Sequence, residues 1–417
     1  MPSIDPQLAR EFAVEAVRQL RAAGHQALWA GGCVRDQLMG LAPKDYDVAT
    51  DAPPDRVREV FGQRRTLAVG AAFGVITVLG PKGAGQIEVA TFRKDAAYSD
   101  GRHPDSVTYS DAEHDAQRRD FTINGLFFDP LAGQVIDYVG GQQDLAQRVI
   151  RAIGDPLARI AEDKLRMLRA VRFAARFDFA LDERTLAAIR QQASELVIVS
   201  AERIAAELRL ILTHANRSRG VQLLADSDLL DVVLPEGRFL RTDPAAWRSM
   251  LEILAALRAP TSAMAFAALL RPLHIADAAL ELPRRVFERW KLSTDELAGI
   301  EKLLAEEPLI RAASQQPWPQ LQRVLVAPRV EELLGYCTAV ARVLDGSTAE
   351  IDFCRLKLAQ PPEVLSPPPL ITGDDLKRLG LTPGPTFRTL LEAVRDAQLE
   401  GRIKTMDEAI ALVRRLP

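Results

Sequence analysis

Residues 27–51 read ALWAGGCVRDQLMGLAPKDYDVATD, and this stretch decides the fold. The apolar run QALWA (26–30) is a short strand that runs into Gly31-Gly32. CVRDQLMG (33–40) then reads as a short helix closed by Gly40, since glycine takes the left-handed backbone that ends helices at little cost. A second strand, YDVAT (46–50), follows at once. Strand, glycine turn, short helix and strand within 25 residues mark an α/β unit.

The pattern continues outward on both sides. DAPPDRVREVFG (51–62) opens a helix, with Asp51 as N-cap and prolines in the first turn. GVITVLG, PKGAG and QIEVATF (74–92) give strand, glycine turn and strand, a hairpin by its turn chemistry. A loop rich in Asp, Gly, His and Pro (93–111) precedes RRDFTINGLFFDP (118–130). From about residue 153 the texture is helical: PLARIAEDKLRMLRAVRFAARF, ERTLAAIRQQASEL and SAERIAAELRLILTHA carry apolar residues at spacings of three and four. LAQPPEVLSPPPLITG (358–373) is a linker or docking segment, because proline excludes helix interior, and Pro385 suits the start of a last helical region. The expected fold class is α+β: an α/β head with a small mixed sheet (1–152), then an all-helical neck (153–215), body (216–358) and tail (359–417).

Composition narrows the classes of function. A net charge of −3 advertises no nucleic-acid binding, so any basic surface must be local. Three widely spaced cysteines, without a CxxC pair, argue against a disulfide framework or thiolate zinc site and fit a reducing cytoplasm. The acid-bearing amphipathic start MPSIDPQLAREFAVEAVRQL is not a signal peptide, and no apolar run reaches the roughly 20 residues of a membrane span.

The chemistry gathers in the first segment. Side chains alternate along a strand, so Asp45 and Asp47 are expected on one face, about 7 Å apart. Two carboxylates that close repel each other, and a divalent cation is the simplest remedy. Magnesium held by one or two carboxylates plus substrate phosphates is the usual arrangement for nucleotidyl transfer. Gly31 and Gly32 leave backbone N–H groups bare at a helix start, where the dipole favours anions, and Arg35 lies in the first turn; the turn suits a triphosphate. Glu88, in QIEVATFR, is expected as a half-buried acid on a neighbouring strand. Asp163 and Arg166, three apart in EDKLRMLRAVRF, are expected side by side on one helix face, with Arg169 and Arg172 continuing the row. Such a pair presents acceptor and donor edges that can read a base. His114-Asp115 has the form of a metal pair but lacks a second set of ligands.

Four motifs, GGCVRDQLMGLAPKDYDVAT (31–50), IEVATFR (87–93), RRDFTINGLFFD (118–129) and EDKLRMLRAVRFAARF (162–177), occur in an order that resembles the class II tRNA nucleotidyltransferases, the family of bacterial CCA-adding enzymes and poly(A) polymerases. The resemblance covers about residues 25–215; LITGDDLKRLGLTPGPTFRTLLEAVRDAQLEGRI (370–403) is similar to the tail of some bacterial members. It implies Asp45 and Asp47 as catalytic magnesium ligands, with Glu88 as a possible third acid. It places Gly31, Gly32 and Arg35 at the triphosphate, and Arg119, Asp120 and Asn124 of RRDFTIN at the nucleotide. It makes Asp163 and Arg166 a protein template that selects CTP or ATP, with Arg169 and Arg172 facing the same cleft. It implies tRNA as partner, gripped by the helical regions, with no membrane and a monomer favoured. The intact loop RKDAAYSDGRHPD (93–105) favours full CCA addition over CC-only addition. A-only addition, then poly(A) synthesis, then an inactive RNA-binding relative are the alternatives. Gly125 departs from the family's usual Ala or Ser, and its small size is expected to be harmless.

Overall fold

The computed structural model describes residues 4–95, 107–276 and 282–416. It divides into two compact units, Met1–Arg238 and Phe239–Pro417. In the first unit, strands β1 (Ala27–Ala30), β2 (Asp47–Thr50), β3 (Thr66–Leu67), β4 (Val75–Leu79), β5 (Gln86–Thr91), β8 (Leu126–Asp129) and β9 (Gln134–Asp137) form one mixed sheet in the order β3-β4-β5-β2-β1-β8-β9. Strands β6 (Arg93–Asp95) and β7 (Val107–Tyr109) pair separately. The expected hairpin is β4–β5, antiparallel, while β2 and β5 run parallel with Asp47 in register with Glu88.

Successive side chains of a strand face opposite ways, so a central strand with both faces covered is apolar throughout. In β1, Leu28 enters one core and Trp29 the other; in β2, Val48 and Ala49 divide likewise. Helix α1 (Pro6–Ala22) covers the Trp29 face through Phe12, Ala13, Ala16, Val17 and Leu20, and the Trp29 indole N–H donates to the Ala13 carbonyl. Helix α2 (Gly32–Leu38) follows β1, and α3 (Pro54–Phe61) packs its Val57 and Phe61 on the α1 side. The cap of α3 is Pro53; Asp51 instead accepts from the Gln26 N–H and pairs with His25. Helix α4 (Ala112–Gln117) closes the opposite face with Ala112 and Ala116, and α5 (Gly141–Gln147) packs on the 3-10 turn Thr122–Asn124.

Helices α6 (Pro156–Glu162), α7 (Arg166–Phe177), α8 (Glu183–Gln192) and α9 (Ala201–Leu212) complete the part of this unit that positions the site, with α9 packed on α7. EDKLRMLRAVRF is not one helix. The chain breaks at Asp163, which is extended, and α7 begins three residues later. The second unit is helical, and its proline-rich segment forms a short helix, Pro362–Leu365, then docks by backbone: Arg395 donates to the Pro367 carbonyl and Gln398 to that of Pro368. Pro385 does begin a helix, Pro385–Leu399. All three cysteines are buried and unbridged, and no described helix is long and apolar enough to cross a membrane.

Candidate active site

The end of β1, the start of β2, the Thr122–Asn124 turn and α7 meet around a cavity of about 650 Å³. That volume suits a nucleotide-sized ligand. Gly31, Gly32, Arg35, Asp45, Asp47, Arg119, Asp120, Asn124, Asp163, Arg166, Arg169 and Arg172 all line it, joined by Arg118, Phe173 and Arg176. Seven arginines against four aspartates leave it strongly cationic inside a chain of net charge −3.

Gly31 caps α2 with φ of +72°, a region other residues enter at a cost. A Cβ there would also lie 2.7 Å from Nη1 of Arg119, so the turn lets the chain and that guanidinium approach closely. Arg35 is almost fully buried. Its Nε donates to Asp36 (2.8 Å), Nη1 donates to Oδ1 of Asn124, and its plane lies 4.6 Å from the Phe177 ring. Burial pulls the Arg35 guanidinium below its usual range, and Asp36 opposes this. It therefore ties α2 to the Thr122–Asn124 turn and to α7.

The carboxylate pair is placed differently from expectation. Only Asp47 belongs to β2; Asp45 lies in a bend two residues earlier, because Pro43 and the turn before it keep the chain out of the sheet until Asp47. Both still reach the cavity. Asp47 is pushed up to about 6, by burial first and then by Glu88 and Asp45, with Arg119 opposing. Glu88 is exposed rather than half-buried: on β5 it stands between Thr77 of β4 and Asp47 of β2, and it does not line the cavity. Among the described residues no three His, Cys, Asp or Glu side chains converge as a metal site. Two carboxylates nevertheless suffice for magnesium that also takes substrate phosphates. A half-buried Asp47 raised toward neutrality, with exposed Asp45 two residues before it, is a donor set such a cation satisfies.

Asp120 is saturated. Its Oδ2 accepts from Nε and Nη2 of Arg169 (2.9 and 2.5 Å), and its Oδ1 accepts from the Phe121 N–H (2.8 Å) and Asn124 Nδ2 (3.0 Å). Burial alone would raise this acid; Arg169, Asn124 and Phe121 hold it at about 2. Arg118 and Arg119 share Asp115, at 2.7 and 3.0 Å. The His114-Asp115 pair thus has no metal character: Asp115 faces arginines and His114 pairs with Asp111.

Asp163 and Arg166 are not a mutual pair. The helix break separates them: Asp163 Oδ1 caps the Leu165 N–H (3.0 Å) and Oδ2 meets Arg203 of α9 (2.7 Å). Arg166 donates to Glu162, to the Arg159 carbonyl (2.7 Å) and to the Arg118 carbonyl (3.3 Å). Arg172 is held by Glu207, also on α9 (2.6 Å). Sequence reading passed over Arg176, Arg203 and Glu207, and did not see Asp115 as the partner of Arg118 and Arg119. Arg176 extends the arginine row of α7 by one more turn, and Arg203 and Glu207 are an i,i+4 pair in SAERIAAEL, so both signals were in the spacing. Gly125 is not indifferent either. A Cβ there would lie 2.7 Å from Val139 Cγ2, so this chain packs tighter than an alanine allows without movement. Most of the 93–105 loop lies outside the described residues.

Residues 27–151 match the family described as "Poly A polymerase head domain", and residues 178–240 that described as "Probable RNA and SrmB- binding site of polymerase A". The CCA-adding enzyme of Enterococcus faecalis is 33% identical over 95% of this chain and 94% of its own length. The chain belongs to the CCA-adding enzyme family. It is a nucleotidyltransferase, and the resemblance read from its four motifs holds. The crystal structure of the Bacillus stearothermophilus CCA-adding enzyme in complex with CTP superposes with a TM-score of 0.76, at 29% identity, covering 98% of this chain and 97% of that one. The Thermotoga maritima CCA-adding enzyme complexed with tRNA shares the fold, with a TM-score of 0.65 at 22% identity over 99% of this chain and 96% of that one. Nucleotidyltransferases of this kind depend on divalent metal, and Asp45 with Asp47 are the donors here that fit one.

Proposed function

We propose that this nucleotidyltransferase adds C and A residues from CTP and ATP to the 3′ end of tRNA, rebuilding CCA without a nucleic-acid template. One observation carries the reading: a single cavity gathers the glycine turn, the carboxylate pair and the Asp163–Arg166 segment. The triphosphate lies against Gly31 and Gly32, where backbone N–H groups and surplus arginines favour anions. Asp45 and Asp47 hold magnesium, which when bound activates the attacking hydroxyl and neutralises developing phosphate charge. The RNA 3′-oxygen bonds to the α-phosphorus and gives up its proton, while the α–β phosphate bond breaks and pyrophosphate leaves with the electron pair. Glu88, in register with Asp47 on the neighbouring strand, supports the pair as a third acid.

Arg166 and Asp163 read the base edge from fixed positions, each locked by a different neighbour before nucleotide arrives. Asp120 orients Arg169 and Asn124 rather than meeting the nucleotide itself. Residues 1–152 serve as catalytic head, 153–215 as selecting neck, and 216–358 and 359–417 as body and tail that grip tRNA by shape and phosphate contacts. The site of action is the cytoplasm, where CTP, ATP and tRNA meet.

The test uses one tRNA transcript ending before CCA, after C, or after CC, each incubated with Mg²⁺ and labelled CTP, ATP or both. Extension of all three to one common CCA end is expected, and Asp47→Ala should abolish it while tRNA binding persists. Growth of the CC-ended transcript alone, by one A, would establish an A-adding enzyme instead.

A further inference from the structure

Arg176 lines the cavity without a role in the resemblance, and its electrostatic position differs from that of the other six arginines. Each of those meets a carboxylate within 3.0 Å: Asp36 for Arg35, Asp115 for Arg118 and Arg119, Glu162 for Arg166, Asp120 for Arg169 and Glu207 for Arg172. Arg176 does not. Among the described residues its one carboxylate within 4.0 Å is Asp36, whose Oδ2 lies 3.7 Å from Nη2, too long for a hydrogen bond. Asp36 is also already engaged, since its Oδ1 accepts from Nε and Nη2 of Arg35 at 2.8 and 2.6 Å. Two guanidinium groups thus share one carboxylate, and one positive charge is left over. His214, near Arg176, adds no countercharge; burial, then Arg176 and Arg217, hold it below its ordinary range. The Arg176 guanidinium carbon stands 5.0 Å from the Phe177 ring centre, and 32% of the side chain is exposed.

The place of Arg176 along α7 selects the part of a nucleotide it meets. Arg166 and Arg176 are ten residues apart, about 15 Å of helix at 1.5 Å per residue. Arg166 marks the base-reading end. At the other end α7 returns to α2, because Asp36, the acid nearest Arg176, lies one turn after Gly32 at the start of α2. A nucleoside triphosphate with its base at Arg166 and its phosphates on the glycine turn therefore runs along α7 toward Arg176. Resting on the transfer reading above, we propose that Arg176 binds the terminal phosphate of the incoming nucleotide and the pyrophosphate that carries that phosphate away. A phosphate oxygen supplies the charge-assisted hydrogen bond that Asp36 is too far away to make. CTP and ATP share this end, so the contact strengthens both alike and takes no part in choosing between them. CDP lacks the phosphate and cannot make it.

The experiment titrates CTP, CDP, CMP and pyrophosphate, with Mg²⁺ and without RNA, onto wild type, Arg176→Ala and Arg176→Lys; nucleotide addition to the three transcripts follows. Arg176→Ala should weaken CTP and pyrophosphate about tenfold, the low end for a hydrogen bond between charged groups, with CDP and CMP unchanged. The KM values for CTP and ATP should rise together, while the KM for RNA and selection among the four nucleotides stay as in wild type. Arg176→Lys should recover most of the CTP affinity, since a single phosphate accepts a point charge. Unchanged CTP affinity, an equal loss of CTP and CDP, or a rise in the KM for RNA alone would each overturn the assignment. So would a loss of CMP together with CTP and a lower melting temperature, the mark of a purely structural arginine. The titrations contain no RNA, so failure of wild type to extend any transcript refutes the transfer reading separately.

Discussion

Replacing Asp120 by Asn tests whether this acid is an internal strut or a nucleotide contact. All of its acceptor capacity is spent on Arg169, Asn124 and the Phe121 N–H. The drop from 3.8 to about 2 corresponds to about 2 kcal/mol of folding stability at neutral pH. Loss of one partner from a buried ion pair costs about 3–5 kcal/mol, but Arg169 keeps 35% of its side chain in solvent and regains hydration, so the lower figure applies. At about 2–4 °C per kcal/mol for a unit of this size, melting of the Met1–Arg238 unit should fall by about 4–8 °C.

The sign with pH is fixed by the direction of the shift. A carboxyl depressed in the folded state contributes its full stability above the unfolded value of 3.8 and loses it as pH falls toward about 2. The gap between wild type and Asp120→Asn should therefore be constant from pH 7 to about 5 and close between about 4 and 2. Calorimetric melts over that range, with CTP titrations at pH 7, make the measurement. Weaker CTP binding is expected as Arg169 and Asn124 lose their orientation. An unchanged melting temperature together with lost CTP binding would refute the reasoning and make Asp120 a direct contact.

Other expectations test how the site is supported. Gly141→Ala should destabilise the Met1–Arg238 unit by several kcal/mol, because its Cβ would fall 2.2 Å from the Thr122 carbonyl oxygen, a backbone atom that cannot yield without moving Asn124; a melt equal to wild type would contradict this. Arg166→Ala should blur selection among CTP, ATP, GTP and UTP in single-turnover competition, since one preset donor edge is lost; undiminished selectivity would place base reading elsewhere. In the second unit, Glu307→Ala should cost about 3–5 kcal/mol in urea titration, as it leaves buried Arg271, bidentate to Glu307 at 2.7 and 2.8 Å, without its partner.

How far the sequence reached follows from the range of the interactions involved. The strand–glycine–helix–strand segment, the 74–92 hairpin and the helix at Pro385 were legible because glycine, proline and apolar alternation act over a few residues. Even there the reading failed where a side chain was claimed by something distant: Asp51 left its helix cap for His25 and Gln26, and Asp163 broke its helix to meet Arg203. The cavity was legible as a set of residues and illegible as a set of pairs. Arg169 is held by Asp120, 49 positions away, Arg172 by Glu207, 35 away, and Asp163 by Arg203, 40 away. No local periodicity encodes those distances. They answer a requirement that composition did state, though only for the whole chain: an excess of arginine around one cavity must be locally countered while no ligand is there. Acids in the wall (Asp120) and behind it (Asp36, Asp115, Glu162, Glu207) meet it by pairing with the guanidinium groups and freezing their rotamers. The side-chain entropy is then lost in folding rather than at each binding event.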